Sequence, residues 1–162
     1  MKLTKILVPL DGSSLAAVAI DTAIDLAAAP FSLVLLRAAE AHVLPGVDPT
    51  EMQVAVVREA EKYLASVQDD LAKRGITNVE TSVWYGAPAH AIIEGARLQK
   101  ADLIVMSSHG RSGLGRLILG SVAESVLRGT TVPVCIVRAP GAPLEVPHGE
   151  ATPGKGKAAL HV

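Results

Sequence analysis

The chain has 162 residues, the length of one domain, and 49% of them are hydrophobic. A net charge of −1 and an aromatic content of 2% give nucleic-acid binding neither a basic face nor a base-stacking surface. No apolar run approaches the roughly 20 residues that span a bilayer, and the first one, ILVPL, is too short for a secretory signal. The single cysteine, Cys135, excludes an internal disulfide and a cysteine-built metal site. These features predict a cytoplasmic protein that binds neither nucleic acid nor membrane.

Five short runs of β-forming residues predict five strands, at residues 5–10, 32–38, 79–84, 102–107 and 132–137. The first, second, fourth and fifth runs are almost continuously apolar, which is typical of strands covered on both faces of a parallel sheet. The third run alternates between apolar and polar residues, which favours a position nearer an edge. The fifth contains Pro133, and because proline cannot donate to a ladder, this also favours an edge or a strand start.

Helical patterns separate these strands. The first follows Asp11-Gly12, the second opens with the capping-box sequence TEMQ at Thr50, the third places Pro88 in its first turn, and the fourth runs from Ser121 to about residue 128. Strict alternation of strands and helices predicts one three-layer α/β domain with a parallel sheet over residues 1–138. The remaining segment, 139–162, is rich in proline and glycine without an apolar period, and we expect it to be disordered.

A glycine-rich stretch, MSSHGRSGLGRLILGS, connects the fourth strand with the fourth helix. It matches neither the Walker P-loop nor the Rossmann fingerprint. A glycine-rich loop that enters a helix is nevertheless suited to hold a phosphate, because the helix start carries unpaired N–H groups and a partial positive charge. Ser121 also begins the capping-box sequence SVAE and can bond its own helix instead. From the residues alone, a phosphate site and a purely structural connection are equal alternatives.

The opening KILVPLDGS and the later SSHGRSGLGRLILGSVAESVLRGTTVPVCIV, with α/β alternation between them, resemble the universal stress protein family. The resemblance covers about residues 1–138. It implies an open Rossmann-like sheet of the adenine nucleotide alpha hydrolase-like type, with strand order 3-2-1-4-5 and a ligand crevice between strands one and four. The family's nucleotide-binding members carry G-x2-G-x9-G-[ST]. Here Gly110 and Gly120-Ser121 match its second half, whereas Ser107 replaces the first glycine.

The resemblance implies an adenine nucleotide in that crevice, ATP or else ADP or AMP, with Mg²⁺ carried on its phosphates. Asp11 would accept hydrogen bonds at the adenosine end, although an Asx turn that caps the first helix is an alternative or additional role for it. Arg111 would offer paired donors to a phosphate. The residues expected to contact the ligand are Pro9, Asp11, Ala38, Met106, Ser107, Gly110, Arg111, Gly120, Ser121 and Val122.

The resemblance further implies a homodimer through the fifth strand, whose apolar edge would otherwise be exposed. The function that follows is a nucleotide-gated switch in stress response, acting on an unknown protein partner. The alternatives are a nucleotide-free dimeric scaffold and a slow ATPase. His109 adjoins Ser108 without a carboxylate that can be placed beside it, and no two histidines are four residues apart. We therefore expect neither a catalytic residue nor a protein-held metal.

Overall fold

The computed structural model describes residues 2–40, 46, 48–108 and 119–138. In these parts of the chain strands and helices alternate as the sequence predicts. The predicted tail, 139–162, lies outside the described residues. The elements are β1 (Lys5–Pro9), α1 (Leu15–Leu26), β2 (Ser32–Ala39), α2 (Pro49–Lys73), β3 (Val79–Tyr85), α3 (Pro88–Leu98), β4 (Leu103–Ser107), α4 (Ser121–Gly129) and β5 (Val134–Val137).

The five strands form one parallel sheet in the order β3-β2-β1-β4-β5, which is the order that the family resemblance implies. The predicted edge position of β3 is confirmed, and β5 forms the opposite edge. β1 is the central strand and pairs with both β2 and β4. The chain first adds β2 and β3 on one side of β1, and then crosses over to add β4 and β5 on its other side. This reversal creates a gap between neighbouring connections at the carboxyl ends of the central strands.

Each face of the sheet carries its own apolar core, which makes the domain three-layered. Alternate side chains of the strands point to opposite faces. One face packs against α1 and α2, with Ile20 and Leu64 among its buried residues, and the other packs against α3 and α4, with Ile92 and Val126. The central strands are buried on both sides, as their continuous apolar runs predict.

The predicted cap of α2 is wrong, and the Ser121 cap that the sequence left open at α4 is absent. α2 begins at Pro49 because the carboxylate of Asp48 accepts the Thr50 N–H at 2.7 Å, so Thr50 lies inside the helix rather than capping it. The N-cap of α4 is Gly120, and Ser121 makes no side-chain cap bond. Glu124, the other half of that expected capping box, pairs instead with Arg128 at 2.8 Å. The Ser121 side chain is therefore not committed to its own helix.

Two strands, β4 and β5, begin later than the sequence predicts. β5 starts at Val134 because Pro133 has no N–H, while the Val132 N–H is taken by the Thr130 hydroxyl at 3.1 Å. β4 starts at Leu103, directly after Asp102, whose N–H donates to the carbonyl of Lys5 at 2.8 Å and whose carboxylate acts as a cap. Its Oδ2 accepts three hydrogen bonds from the start of β1: the backbone N–H groups of residues 4 and 5, each at 2.9 Å, and the Thr4 hydroxyl at 3.0 Å.

Replacing Asp102 with alanine should destabilise the protein in a pH-dependent way. The backbone N–H of Lys5 and both donors of Thr4 hold the pKa of the Asp102 carboxyl below its usual range. A lowered folded-state pKa stabilises the fold fully above the unfolded value near 4, and this stabilisation is lost as the pH falls through the folded value. We expect Asp102→Ala to lower the melting temperature by roughly 2–4 °C at pH 7. Thermal unfolding of both proteins between pH 7 and pH 2 should show the difference between their melting temperatures shrinking below about pH 4. A difference that stays constant over this range would contradict a stabilising role of the ionised Asp102 carboxylate.

Candidate functional site

A crevice of about 500 Å³ opens where β1, β2 and β4 end, at the point where the strand order reverses. Open α/β sheets bind their ligands at this position, because the connections on either side of it diverge to opposite faces. The volume falls within the range of small-molecule sites, roughly 300–1,000 Å³. The crevice is therefore large enough for a compact organic ligand.

The structure brings together most of the residues that the sequence analysis selected. Gly110 and Arg111, as well as His109, lie outside the described residues. The eight predicted residues that line the crevice are Pro9, Asp11, Ala38, Met106, Ser107, Gly120, Ser121 and Val122. They come from β1, β2, β4 and the start of α4, and so converge from four separate parts of the chain.

Backbone hydrogen bonds fix the start of α4 at the rim of the crevice. The N–H of Gly120 donates to the carbonyl of Ser108 at 2.9 Å, and the N–H of Ser108 donates to the carbonyl of Val137 at 2.8 Å. The two ends of the glycine-rich stretch are thereby joined and tied to β5. The first N–H groups of a helix have no partner within the helix and carry its positive end. In α4 these groups belong to Ser121, Val122 and the residue after them, and all three residues line the crevice.

Asp11 is held in a defined position directly after β1. Its Oδ1 accepts the backbone N–H of Ser13 at 2.9 Å across Gly12, whose φ of +84° is in the left-handed region. The Asx turn that the sequence suggests is therefore present. Asp11 also lines the crevice, so the Asx turn and a place at the crevice occur together in this structure.

The lining divides into an apolar part and a charged part. The apolar residues are Pro9, Leu10, Leu36, Ala38, Ala39, Val56, Pro88, Ile92, Met106, Val122 and Ala123, and the charged ones are Asp11, Arg37, Glu40 and Glu59. A mostly apolar lining with a few placed polar groups is the usual composition of a small-molecule site.

The sequence analysis missed the charged part except for Asp11. Arg37 lies near the end of β2 and is only 8% exposed. Its Nη2 donates to Oε1 of Glu59 at 3.2 Å, and its guanidinium lies 4.6 Å from the centre of the Tyr63 ring. Burial raises the pKa of the Tyr63 phenol, the charge of Arg37 lowers it in part, and Asp11 adds to the rise. The signal in the sequence was a charged residue that interrupts the apolar run SLVLLRAA.

Residues 2–40, 46, 48–108 and 119–138 contain no group of three or more His, Cys, Asp or Glu side chains arranged to hold a metal ion. Within the same ranges, none of the helices combines the length and the apolar character that crossing a membrane requires.

An open parallel α/β sheet with a ligand-sized crevice at its switch point, and a helix start facing that crevice, defines the class of Rossmann-like α/β proteins. A model of the universal stress protein family matches residues 2–138, and the chain belongs to that family.

Individual relatives agree with this assignment. The universal stress protein MJ0531 of Methanocaldococcus jannaschii is 32% identical over 140 residues, which are 84% of this chain and 82% of the relative. The solved structure of UspA from Lactobacillus plantarum has a TM-score of 0.71 and 28% identity, and the likeness covers 85% of this chain and 99% of that one. A universal stress protein solved in complex with cAMP has a TM-score of 0.57 and 31% identity, with coverage of 85% and 98%.

Proposed function

We propose that this protein binds an adenine nucleotide in the crevice and acts as a homodimeric switch in the cytoplasmic stress response. The observation that carries the proposal is the convergence of an apolar wall, the Asp11 carboxylate and the start of α4 on one cavity of about 500 Å³. These three parts match the three parts of a nucleotide: a flat base, a ribose with hydroxyl donors, and a phosphate. The relative solved with cAMP supports the same ligand class.

The proposed orientation follows from the charges. A phosphate is stabilised by the N–H groups and positive end of α4, beside Gly120, Ser121 and Val122. The base then lies on the apolar wall that includes Pro9 and Ala38, and the ribose hydroxyls donate to Asp11. Mg²⁺, where it takes part, would accompany the phosphates.

The proposed dimer joins two copies through β5. This strand is the outer edge of the sheet, and its four residues, Val134–Val137, are apolar yet only half-buried. An apolar edge with unpaired N–H and C=O groups is a template for another strand, and a two-fold contact with a second copy satisfies both edges at once.

Calorimetric titration of the purified chain with ATP and Mg²⁺, after removal of any co-purified nucleotide, tests the ligand. We expect saturable binding with a dissociation constant in the micromolar range, which corresponds to a free energy near −8 kcal/mol. At an ATP concentration of about 100 times that constant, the fold should gain roughly 2.7 kcal/mol of stability, visible as a higher melting temperature. Absence of both heat and thermal stabilisation would contradict nucleotide binding.

A second candidate function is a nucleotide-free dimeric scaffold, and Ser107 is the observation that favours it. Ser107 stands where the family's nucleotide-binding motif has its first glycine, and it lines the crevice. A Cβ and hydroxyl at this position take space that the glycine leaves to the ligand. The scaffold predicts a dimer with no heat in the titration above, whereas the switch predicts a dimer that binds.

A further inference from the structure

Arg37 is a largely buried cation that lines the crevice. Its side chain is 10% exposed, whereas the side chain of its ion-pair partner, Glu59, is 70% exposed. A guanidinium offers five N–H donors in a fixed planar arrangement. Among the described residues, Glu59 is the one acceptor of a hydrogen bond from it, through Nη2. A guanidinium that meets one acceptor through one nitrogen has further N–H donors to offer a ligand in the crevice that Arg37 lines.

The position of the Arg37 guanidinium is restrained rather than free. It stacks on the ring of Tyr63 at 4.6 Å, and Glu59 holds one of its edges. Both partners belong to α2, which packs on the sheet through Ala60 and Leu64 immediately beside them. A planar donor group fixed in this way has already lost much of its rotamer freedom. Binding a ligand to it therefore costs less side-chain entropy than binding to a mobile arginine.

The charges around Arg37 favour an uncharged acceptor rather than a phosphate. Asp11, Glu40 and Glu59 line the same crevice and would repel a phosphate placed among them. The start of α4, which suits a phosphate, follows β4, and β1 lies between β4 and β2. Neighbouring strands are about 4.8 Å apart, so the ends of β2 and β4 are separated by roughly 10 Å, which leaves room for the sugar between the two ends of a nucleotide.

We propose that Arg37 is a specificity residue that donates a hydrogen bond to a ring nitrogen of the adenine base, and that Glu59 holds the guanidinium ready for it. This inference rests on the proposed function, because it assigns a contact within the same crevice. Adenine has ring nitrogens that accept hydrogen bonds, and a charged donor in a partly buried site makes such a bond strong.

The test compares the wild-type chain with Arg37→Met, which keeps the length of the side chain over Tyr63 but removes the donors. ATP and adenosine are titrated separately, in competition with a fluorescent ATP analogue. We expect Arg37→Met to weaken both ligands by the same factor, about 10- to 100-fold, because the lost contact lies on the base that they share. Arg74→Met is the matched control: Arg74 pairs with Asp21 at 2.7 Å, both side chains are exposed, and its loss should leave both affinities unchanged.

Deaza analogues locate the contact. In the wild type, one of 1-deaza-, 3-deaza- and 7-deaza-ATP should bind about 10- to 100-fold more weakly than ATP, and Arg37→Met should no longer distinguish that analogue from ATP. Arg37→Lys keeps the charge but not the planar donors and should recover the binding only in part, with a melting temperature close to that of the wild type.

Four outcomes would overturn the inference. Unchanged ATP affinity in Arg37→Met shows that Arg37 makes no ligand contact, and a loss for ATP but not for adenosine places the contact on a phosphate. Equal sensitivity of both proteins to every deaza analogue excludes the ring nitrogens. If the wild-type protein binds none of these ligands, the proposed function and this inference are both wrong. If the wild type binds ATP and one of the other outcomes is seen, only this inference is wrong.

Discussion

Ser121→Asp is expected to weaken nucleotide binding strongly while leaving the fold as stable as before or slightly more stable. Ser121 is the first residue of α4, it is exposed to solvent, and it lines the crevice. A carboxylate there faces the positive end of the helix and should contribute about 0.3–1 kcal/mol to stability. The same carboxylate occupies the proposed phosphate position. Repulsion between two charges about 4 Å apart costs roughly 1–4 kcal/mol near a protein surface, so the affinity for ATP should fall by about 10- to 1,000-fold.

The opposite signs of these two effects make the experiment informative. Calorimetric titration with ATP and thermal unfolding without ligand are measured on the wild type, Ser121→Asp and Ser121→Asn. Asparagine has nearly the shape of aspartate without its charge, so it should retain most of the affinity. Equal losses in both variants would point to a steric effect, and unchanged ATP binding by Ser121→Asp would remove the start of α4 from the phosphate site. Adenosine carries no phosphate, and its affinity should change little in either variant.

The positions of the strands could be predicted well because the burial of a strand is visible in its own residues. Apolar runs report burial on both faces, and the alternation in VETSVW reported the edge position of β3. The strand order, in contrast, came from the family resemblance, since periodicity within a strand carries no information on its neighbours. The errors at element ends have more than one cause: β5 begins after Pro133 because proline has no N–H to donate. Asp48 and Asp102 act as caps through side-chain hydrogen bonds whose partners a helical or strand pattern does not reveal.

The candidate site was only partly predictable for a related reason. Asp11 and Gly120 belong to recognisable stretches, and the strand order is enough to bring the two stretches to one edge of the sheet. Arg37 and Glu59 belong to no motif. They meet because β2 and α2 pack at one particular register, which places two residues 22 positions apart within 3.2 Å. A charged residue within a buried strand is the signal that could have identified Arg37, since such residues are rare without a partner or a function.

Val134→Pro is expected to convert the proposed dimer into a folded monomer. The carbonyl of Pro133 accepts the N–H of Ile104 at 2.9 Å, and that of Val137 accepts the N–H of Ser108 at 2.8 Å. In a parallel pair, alternate residues direct their backbone groups to the same neighbour, so residues 133, 135 and 137 face β4 while 134 and 136 face outward. Proline at 134 therefore removes an outward N–H and spares the bonds to β4. It also stands at the first residue of an edge strand, where proline is tolerated.

The same alternation supplies the control. Cys135→Pro would remove a donor that faces β4, so it should lower the melting temperature by several degrees more than Val134→Pro, as expected for a lost ladder bond. Light scattering coupled to size-exclusion chromatography, at tens of micromolar protein, measures the mass of each variant. A Val134→Pro protein that remains dimeric would place the interface elsewhere, and a monomeric wild type would remove the dimer from the proposed function. A monomeric Val134→Pro protein that still binds ATP would show that the crevice is complete within one chain, because none of the residues that line it in this structure belongs to β5.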